Sequence, residues 1–152
     1  MTTETPSESV APGFALKGQY VKDLSFENPL APQSLIPNNE RPSIEVSVDI
    51  KVQKLQDDVY EMTLHLASRA TSEQKTLFLV DLAYAGVFHL TGIPADRIEQ
   101  VVLVDCAFVL FPFARRIIAD VTRDGGFPPL MLDPIDFHSL FLQSREQAES
   151  AQ

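Results

Sequence analysis

Apolar and polar residues alternate with a period of two from Ser43 to Gln53. Ile44, Val46, Val48, Ile50 and Val52 fall on one side, and Glu45, Ser47, Asp49, Lys51 and Gln53 on the other. This is the pattern of a strand with one dry and one wet face. Gln56-Asp57-Asp58 supplies a hairpin turn. Val59 to Ala67 then repeats the alternation, with Tyr60, Met62, Leu64 and Leu66 inward and Glu61, Thr63 and His65 outward. Residues 68–75 turn again, and Thr76 to Thr91 form the next strand. Its first row is Phe78, Val80, Leu82, Tyr84, Phe88 and Leu90. Its second row, Leu77, Leu79, Ala83, Ala85 and Val87, is apolar too, with Asp81 and His89 as exceptions. A half-wet sheet gives no reason for that second row, so another element or another subunit is expected to cover part of it. Ahead of these, Phe14 to Phe26 reads as a strand. Period two places Tyr20, Leu24 and Phe26 on one side, with Lys22 interrupting the row, and Asp23, Ser25 and Glu27 on the other.

The connection from Asn28 to Pro42 carries Pro29, Pro32, Pro37 and Pro42, which exclude a central strand or a helix. Its apolar residues Leu30, Leu35 and Ile36 either pin the loop to the core or form one wall of an apolar groove. Gly92-Ile93-Pro94 opens a helix that runs to about Asp120, with Pro94 in its first turn. Apolar residues surround most of it between 101 and 113, which predicts burial on several sides, and Pro112 predicts a kink. Asp105 in that dry neighbourhood calls for a hydrogen-bonding partner. Gly125-Gly126 ends the segment. Phe127 to Leu132 is extended. Asp133 then reads as an N-cap with Pro134 at the first helical position, opening a short helix with Phe137, Leu140, Phe141 and Leu142. Residues 1–12 read as a disordered polar arm, 13–144 as a single domain, and 145–152 as a flexible tail. The class is α+β: a four-stranded antiparallel sheet, a meander with a long first crossover loop, and a long kinked helix and a short C-terminal helix on one face.

The chain has 152 residues and a formal net charge of −9, with 12 Lys and Arg against 21 Asp and Glu. That balance argues against nucleic-acid binding and favours basic or apolar partners. The single cysteine, Cys106, lies in an apolar run and reads as a buried thiol. No secretory leader is legible at the N-terminus, and the run Val101 to Phe113 is shorter than the ~20 residues that span a bilayer. Asp23 and Glu27 would stand about 13 Å apart in a strand, beyond the roughly 5–9.5 Å of paired catalytic carboxylates. Either they mark a solvated edge or they form an acidic patch that receives a basic partner. His65, His89 and His138 lack ligand spacing. Nucleotide-cradling glycine motifs are absent, and nothing calls for a cofactor or a metal.

Four segments taken together resemble the SecB family of protein-export chaperones. Lys22-Asp23-Leu24-Ser25-Phe26-Glu27-Asn28-Pro29 is similar to the family's K-D-[ILV]-S-F-E-x-P. Leu110-Phe111-Pro112-Phe113-Ala114-Arg115 is similar to L-F-P-[YF]-A-R. Gly125-Gly126-Phe127-Pro128-Pro129-Leu130 resembles G-x-F-P-x-L, and Pro134-Ile135-Asp136-Phe137 resembles P-[IV]-[ND]-F. The matches span residues 14–142. The resemblance implies a cytoplasmic, ATP-independent holding chaperone and not an enzyme. Such a chaperone keeps unfolded preproteins fit for translocation across the inner membrane and hands them to the motor SecA. It also implies a homotetramer, a dimer of dimers. Carried over by position, the SecA-binding face is Asp23, Ser25 and Glu27 with Leu79 and Asp81. The client groove is Leu30, Leu35 and Ile36 with Phe137, Leu140 and Phe141. The chain departs from the family where the loop around Ile36 to Arg41 lacks an aromatic residue, and where Cys106-Ala107 replaces Cys-Pro. Two rivals keep the same groove: a SecB-like chaperone dedicated to a toxin–antitoxin client, and an enzyme that binds a small apolar ligand.

Overall fold

The computed structural model describes residues 12–38 and 40–150; of the expected N-terminal arm, residues 1–11 lie outside the described range. Four strands form one antiparallel sheet: β1 (Gly13–Glu27), β2 (Ser43–Gln56), β3 (Val59–Ser72) and β4 (Lys75–Thr91). Their spatial order is β1-β4-β3-β2. β2, β3 and β4 are a meander, and the 28–42 connection carries the chain from one sheet edge to the other. The hairpins are tighter than the sequence suggests. The β2–β3 turn is Asp57-Asp58, with Asp58 at φ 63°, and the β3–β4 turn is Glu73-Gln74, at φ 51° and 64°. Both are two-residue connections with positive φ, which match the twist of the flanking strands. Residues 68–72 are therefore strand and not turn. The small side chains of Ser68, Ala70 and Ser72 on the inward row hid the alternation: Ser68 is buried, and its hydroxyl donates to the Glu45 carbonyl at 3.0 Å.

The core lies between this sheet and the long helical segment. Met62, Leu64, Leu66, Leu82, Tyr84, Phe88 and Leu90 meet Val102, Cys106, Leu110, Ala114 and Ile118. Helix and sheet pack tightly at Gly86, where an added β-carbon would fall 3.0 Å from Leu110 Cδ2. The helical segment is not uniform. A 3-10 turn (Ala95–Arg97) and a short α turn (Ile98–Gln100) lead into a π-helical stretch, Val101–Cys106, before the main α-helix, Ala107–Asp124. Pro112 sits inside that α-helix, which runs four residues beyond the expected end and stops at Gly125. Asp105 is exposed on the π-helical stretch and not buried, so it needs no internal partner.

Thr122 ties the helix end to the next segment. Its buried hydroxyl lies within bonding distance of the Ile118 and Ala119 carbonyls and accepts the Leu130 N–H at 2.9 Å. The C-terminal helix is Phe137–Ser150. Its cap is Asp136 and not Asp133: Asp136 Oδ1 accepts the Ser139 N–H at 3.1 Å. Those bonds also hold the Asp136 carboxyl below the usual carboxylate range. Pro134 remains in the extended segment. Past Ser144 the chain is still helical, and Arg145 lies over the Phe141 ring and 3.9 Å from Glu99.

Candidate docking face and apolar grooves

The sheet has a helix side and an outer side, and the register fixes which residues share the outer one. Glu27, Leu79, Arg69 and Glu45 stand in one row across β1, β4, β3 and β2. Ser25, Asp81, Ala67 and Ser47 stand in the next, followed by Asp23, Ala83, His65 and Asp49. Asp23, Ser25, Glu27, Leu79 and Asp81 thus converge although about fifty positions part the two stretches. Ser25, Glu27, Leu79 and Asp81 line one shallow depression of about 400 Å³, with Glu45 and Arg69 among its other walls. Asp23 lies one row on. Carboxylates outnumber cations here. The Arg69 guanidinium is held by Thr76 Oγ1 at 2.8 Å, and His65 Nδ1 stands 4.0 Å from Asp81 Oδ1.

One expectation about this face is corrected. Tyr20 does not share a side with Leu24 and Phe26. β1 bulges between Val21 and Asp23, so Lys22 is an extra residue and the alternation changes phase there. Tyr20 lies opposite Ala85 on the outer side and donates its hydroxyl hydrogen bond to Glu61. Lys22 Nζ donates to the other Glu61 oxygen at 2.6 Å. The Lys22 ammonium, with the Tyr20 hydroxyl, holds the Glu61 carboxyl below its ordinary range. The same bond, helped by burial, pushes the Tyr20 phenol up to about 12. The second apolar row of β4 is also explained in part within the chain. Ala83 and Ala85 are buried in the sheet centre, in rows flanked by His65 and Tyr20, while Leu79 is exposed.

The apolar residues assigned to a groove fall into three places. Leu30 and Ile36 line a cavity with Pro42, Ser72 and Leu77. Phe137, Leu140 and Phe141 line another with Val48, Ile50 and Leu103. Leu35 lies against Gly126: an added β-carbon there would come within 2.6 Å of Leu35 Cδ2. Between the two cavities, on the helix side of β2, Ile44 and Val46 are exposed. About six residues of strand separate the cavities, roughly 20 Å. The reading of the sequence missed Ile44 and Val46 as surface, since alternation alone cannot tell a covered dry face from an uncovered one. It also missed Glu61, whose only signal was the lysine interrupting the β1 row.

Cys106 is buried, and burial pushes its thiol up to about 12, which leaves no thiolate for nucleophilic chemistry near neutral pH. No group of three or more metal-ligating side chains is found among the described residues.

A family model described as preprotein translocase subunit SecB matches residues 7–148. Protein-export protein SecB of Parvibaculum lavamentivorans is 52% identical over 141 residues, covering 93% of this chain and 84% of that protein. The protein of the same name from Rhodopseudomonas palustris is 45% identical over 145 residues, with coverage of 95% and 92%. That from Bartonella quintana is 48% identical over 130 residues, with coverage of 86% and 82%. Among solved structures, the SecB-like chaperone of Mycobacterium tuberculosis, in complex with a ChAD peptide from the HigA1 antitoxin, is similar with a TM-score of 0.67. That likeness covers 80% of this chain and 90% of the other at 15% identity, and is one of fold.

Proposed function

The chain belongs to the SecB family of protein-export chaperones, and from that premise we propose how it works: it holds unfolded preproteins without nucleotide in the cytoplasm and delivers them to SecA. The observation that carries the delivery half is the convergence of Asp23, Ser25, Glu27, Leu79 and Asp81 on the outer face. That face is acidic, shallow and free of helices, so a basic partner can dock while the helix side stays occupied. The holding half is supported by the apolar strip from Leu30 and Ile36 along Ile44, Val46, Val48 and Ile50 to Phe137, Leu140 and Phe141. An extended client segment would lie along it. Each contact is weak and none is sequence-specific, so retention comes from many contacts at once.

The homotetramer belongs to the same reading. Phe108 and Phe113 are two large rings exposed on the long helix. Their burial between copies would complete the layer that the sheet leaves open.

The test is suppression of aggregation of a denatured, slow-folding polypeptide without nucleotide, repeated with an unrelated client. Suppression of both supports a general holding chaperone. Suppression of neither by a well-folded oligomer refutes it. The Glu27→Lys variant then separates the two faces: SecA binding is abolished while client binding is retained. Loss of both in a variant that keeps its oligomeric state overturns the separation.

A further inference from the structure

Three consecutive residues at the end of β1 go to three different places. The Phe26 ring stacks on Phe78 at 6.0 Å and meets Phe127 edge-on at 6.4 Å. Glu27 stands on the outer face. Asn28 turns toward the end of the long helix, partly buried. Its Nδ2 donates to the Gly125 carbonyl at 3.0 Å, and its Oδ1 accepts from Ser34 Oγ at 2.6 Å. One carboxamide therefore joins the first residue of the connection, the middle of that connection and the helix terminus.

The rest of the 28–36 loop is held mainly by its own backbone. Ala31 N–H donates to the Asn28 carbonyl, Ser34 N–H to Leu30, Leu35 N–H to Pro32 and Ile36 N–H to Gln33, all at 3.0–3.2 Å. Such a coil is locally ordered but free to swing as a body unless something anchors it. The anchor is the Gly125-Gly126 pair. An added β-carbon on Gly125 would strike the Phe26 ring, and one on Gly126, which has φ 97°, would strike Leu35. The absence of both side chains leaves a seat on which β1's last aromatic and the loop's leucine rest. Among the described residues, the Asn28–Gly125 bond is the one side-chain hydrogen bond between the loop and the long helix's end.

We propose that Asn28 is a positioning residue for client holding. Its carboxamide latches the 28–36 loop onto Gly125-Gly126 and sets Leu30, Leu35 and Ile36 where a client can meet them. The proposal rests on the reading of that loop as a groove wall. A latch of this kind acts on the loop and leaves the fold alone, because the β-sheet and the helix–sheet core are assembled without it.

The experiment is amide hydrogen exchange on the full-length oligomer, read at Ser34, Leu35 and Ile36, alongside the dissociation rate of a denatured, slow-folding client. Asn28→Ala removes both carboxamide bonds and raises loop exchange by about 10-fold or more, each ordinary hydrogen bond being worth about 3- to 10-fold, with β3 and β4 exchange unchanged and client dissociation faster. Asn28→Asp keeps the acceptor for Ser34 but points a carboxylate at a carbonyl on the negative end of a helix, so it loosens the loop more than alanine does. Unchanged loop exchange in both variants overturns the proposal, as does an aspartate variant as protected as the wild type. Faster loop exchange with unaltered client dissociation upholds the latch and refutes the groove reading of the loop.

Discussion

Substituting Gly125 by alanine tests the seat at the end of the long helix directly. The backbone there has φ −79°, so alanine suffers no conformational penalty. The whole effect is steric. The new β-carbon would lie 2.2 Å from two atoms of the Phe26 ring, whereas carbons in contact sit about 3.5–4.0 Å apart. The ring must retreat by on the order of 1.5 Å, and it is hemmed in by Phe78 and Phe127. Forcing a methyl group into a filled space of this kind costs about 1–3 kcal/mol. For a chain of this size each kcal/mol lowers the melting temperature by roughly 2–4 °C. Thermal and urea unfolding at one fixed protomer concentration measure it, since an oligomer's stability depends on concentration. The decisive variant is the double substitution Gly125→Ala with Phe26→Leu. The shorter side chain vacates the contested space, so the pair is less damaging than the sum of its parts by about 1 kcal/mol or more. Effects that add to within about 0.5 kcal/mol would refute the steric argument.

Thr122→Val keeps the shape of a buried residue but removes the acceptor of the Leu130 N–H. A loss of about 1–3 kcal/mol is expected, with faster exchange at the Leu130 amide, and an unaltered exchange rate there would contradict it. Glu61→Gln brings the Tyr20 phenol down from about 12 toward 10.0, read by ultraviolet absorbance on alkaline titration; an unmoved titration removes the Tyr20–Glu61 bond from the account. The same variant flattens the acid limb of stability. The Glu61 carboxyl is held below its ordinary range by Lys22 first and Tyr20 second. Its contribution is therefore present above the unfolded pKa, about 4.3, and is lost as pH falls through the lower folded value.

Much of the fold was legible because period-two alternation is a strong signal where a strand is long and one face is dry. β2, β3 and the two rows of β4 follow it closely. The misreadings have local physical causes. The bulge at Lys22 moved Tyr20 to the opposite face, and a single inserted residue leaves no mark in composition. Ser68 and Ala70 continue β3 but look like turn residues, since a buried serine bonded to a neighbouring strand's carbonyl is silent in the sequence. Asp136 took the cap that Asp133 was expected to hold, because both precede the helix and only the backbone path decides. Of the candidate site, the docking face could be placed by motif and the register then gathered it. The apolar strip could not, since it depends on where helices stop covering β2.

The bulges have a consequence for the molecule's own solubility. Both edges of the sheet are strands, and an unbroken edge invites another extended chain to pair with it. β1 is interrupted at Lys17 and again at Lys22, and β2 at Leu55, beside Lys54. Each break removes ladder continuity and adds twist, and each lies at or next to a lysine, a charge that is costly to enclose between paired strands. A passing strand can therefore add to only a short stretch of β1 before it meets a kink and a charge, whereas β2 runs unbroken from Ser43 to Lys54 and is interrupted only near its end. At its β1 edge, a protein that spends its working life among sticky, extended chains is in this way kept from becoming the seed on which they polymerise.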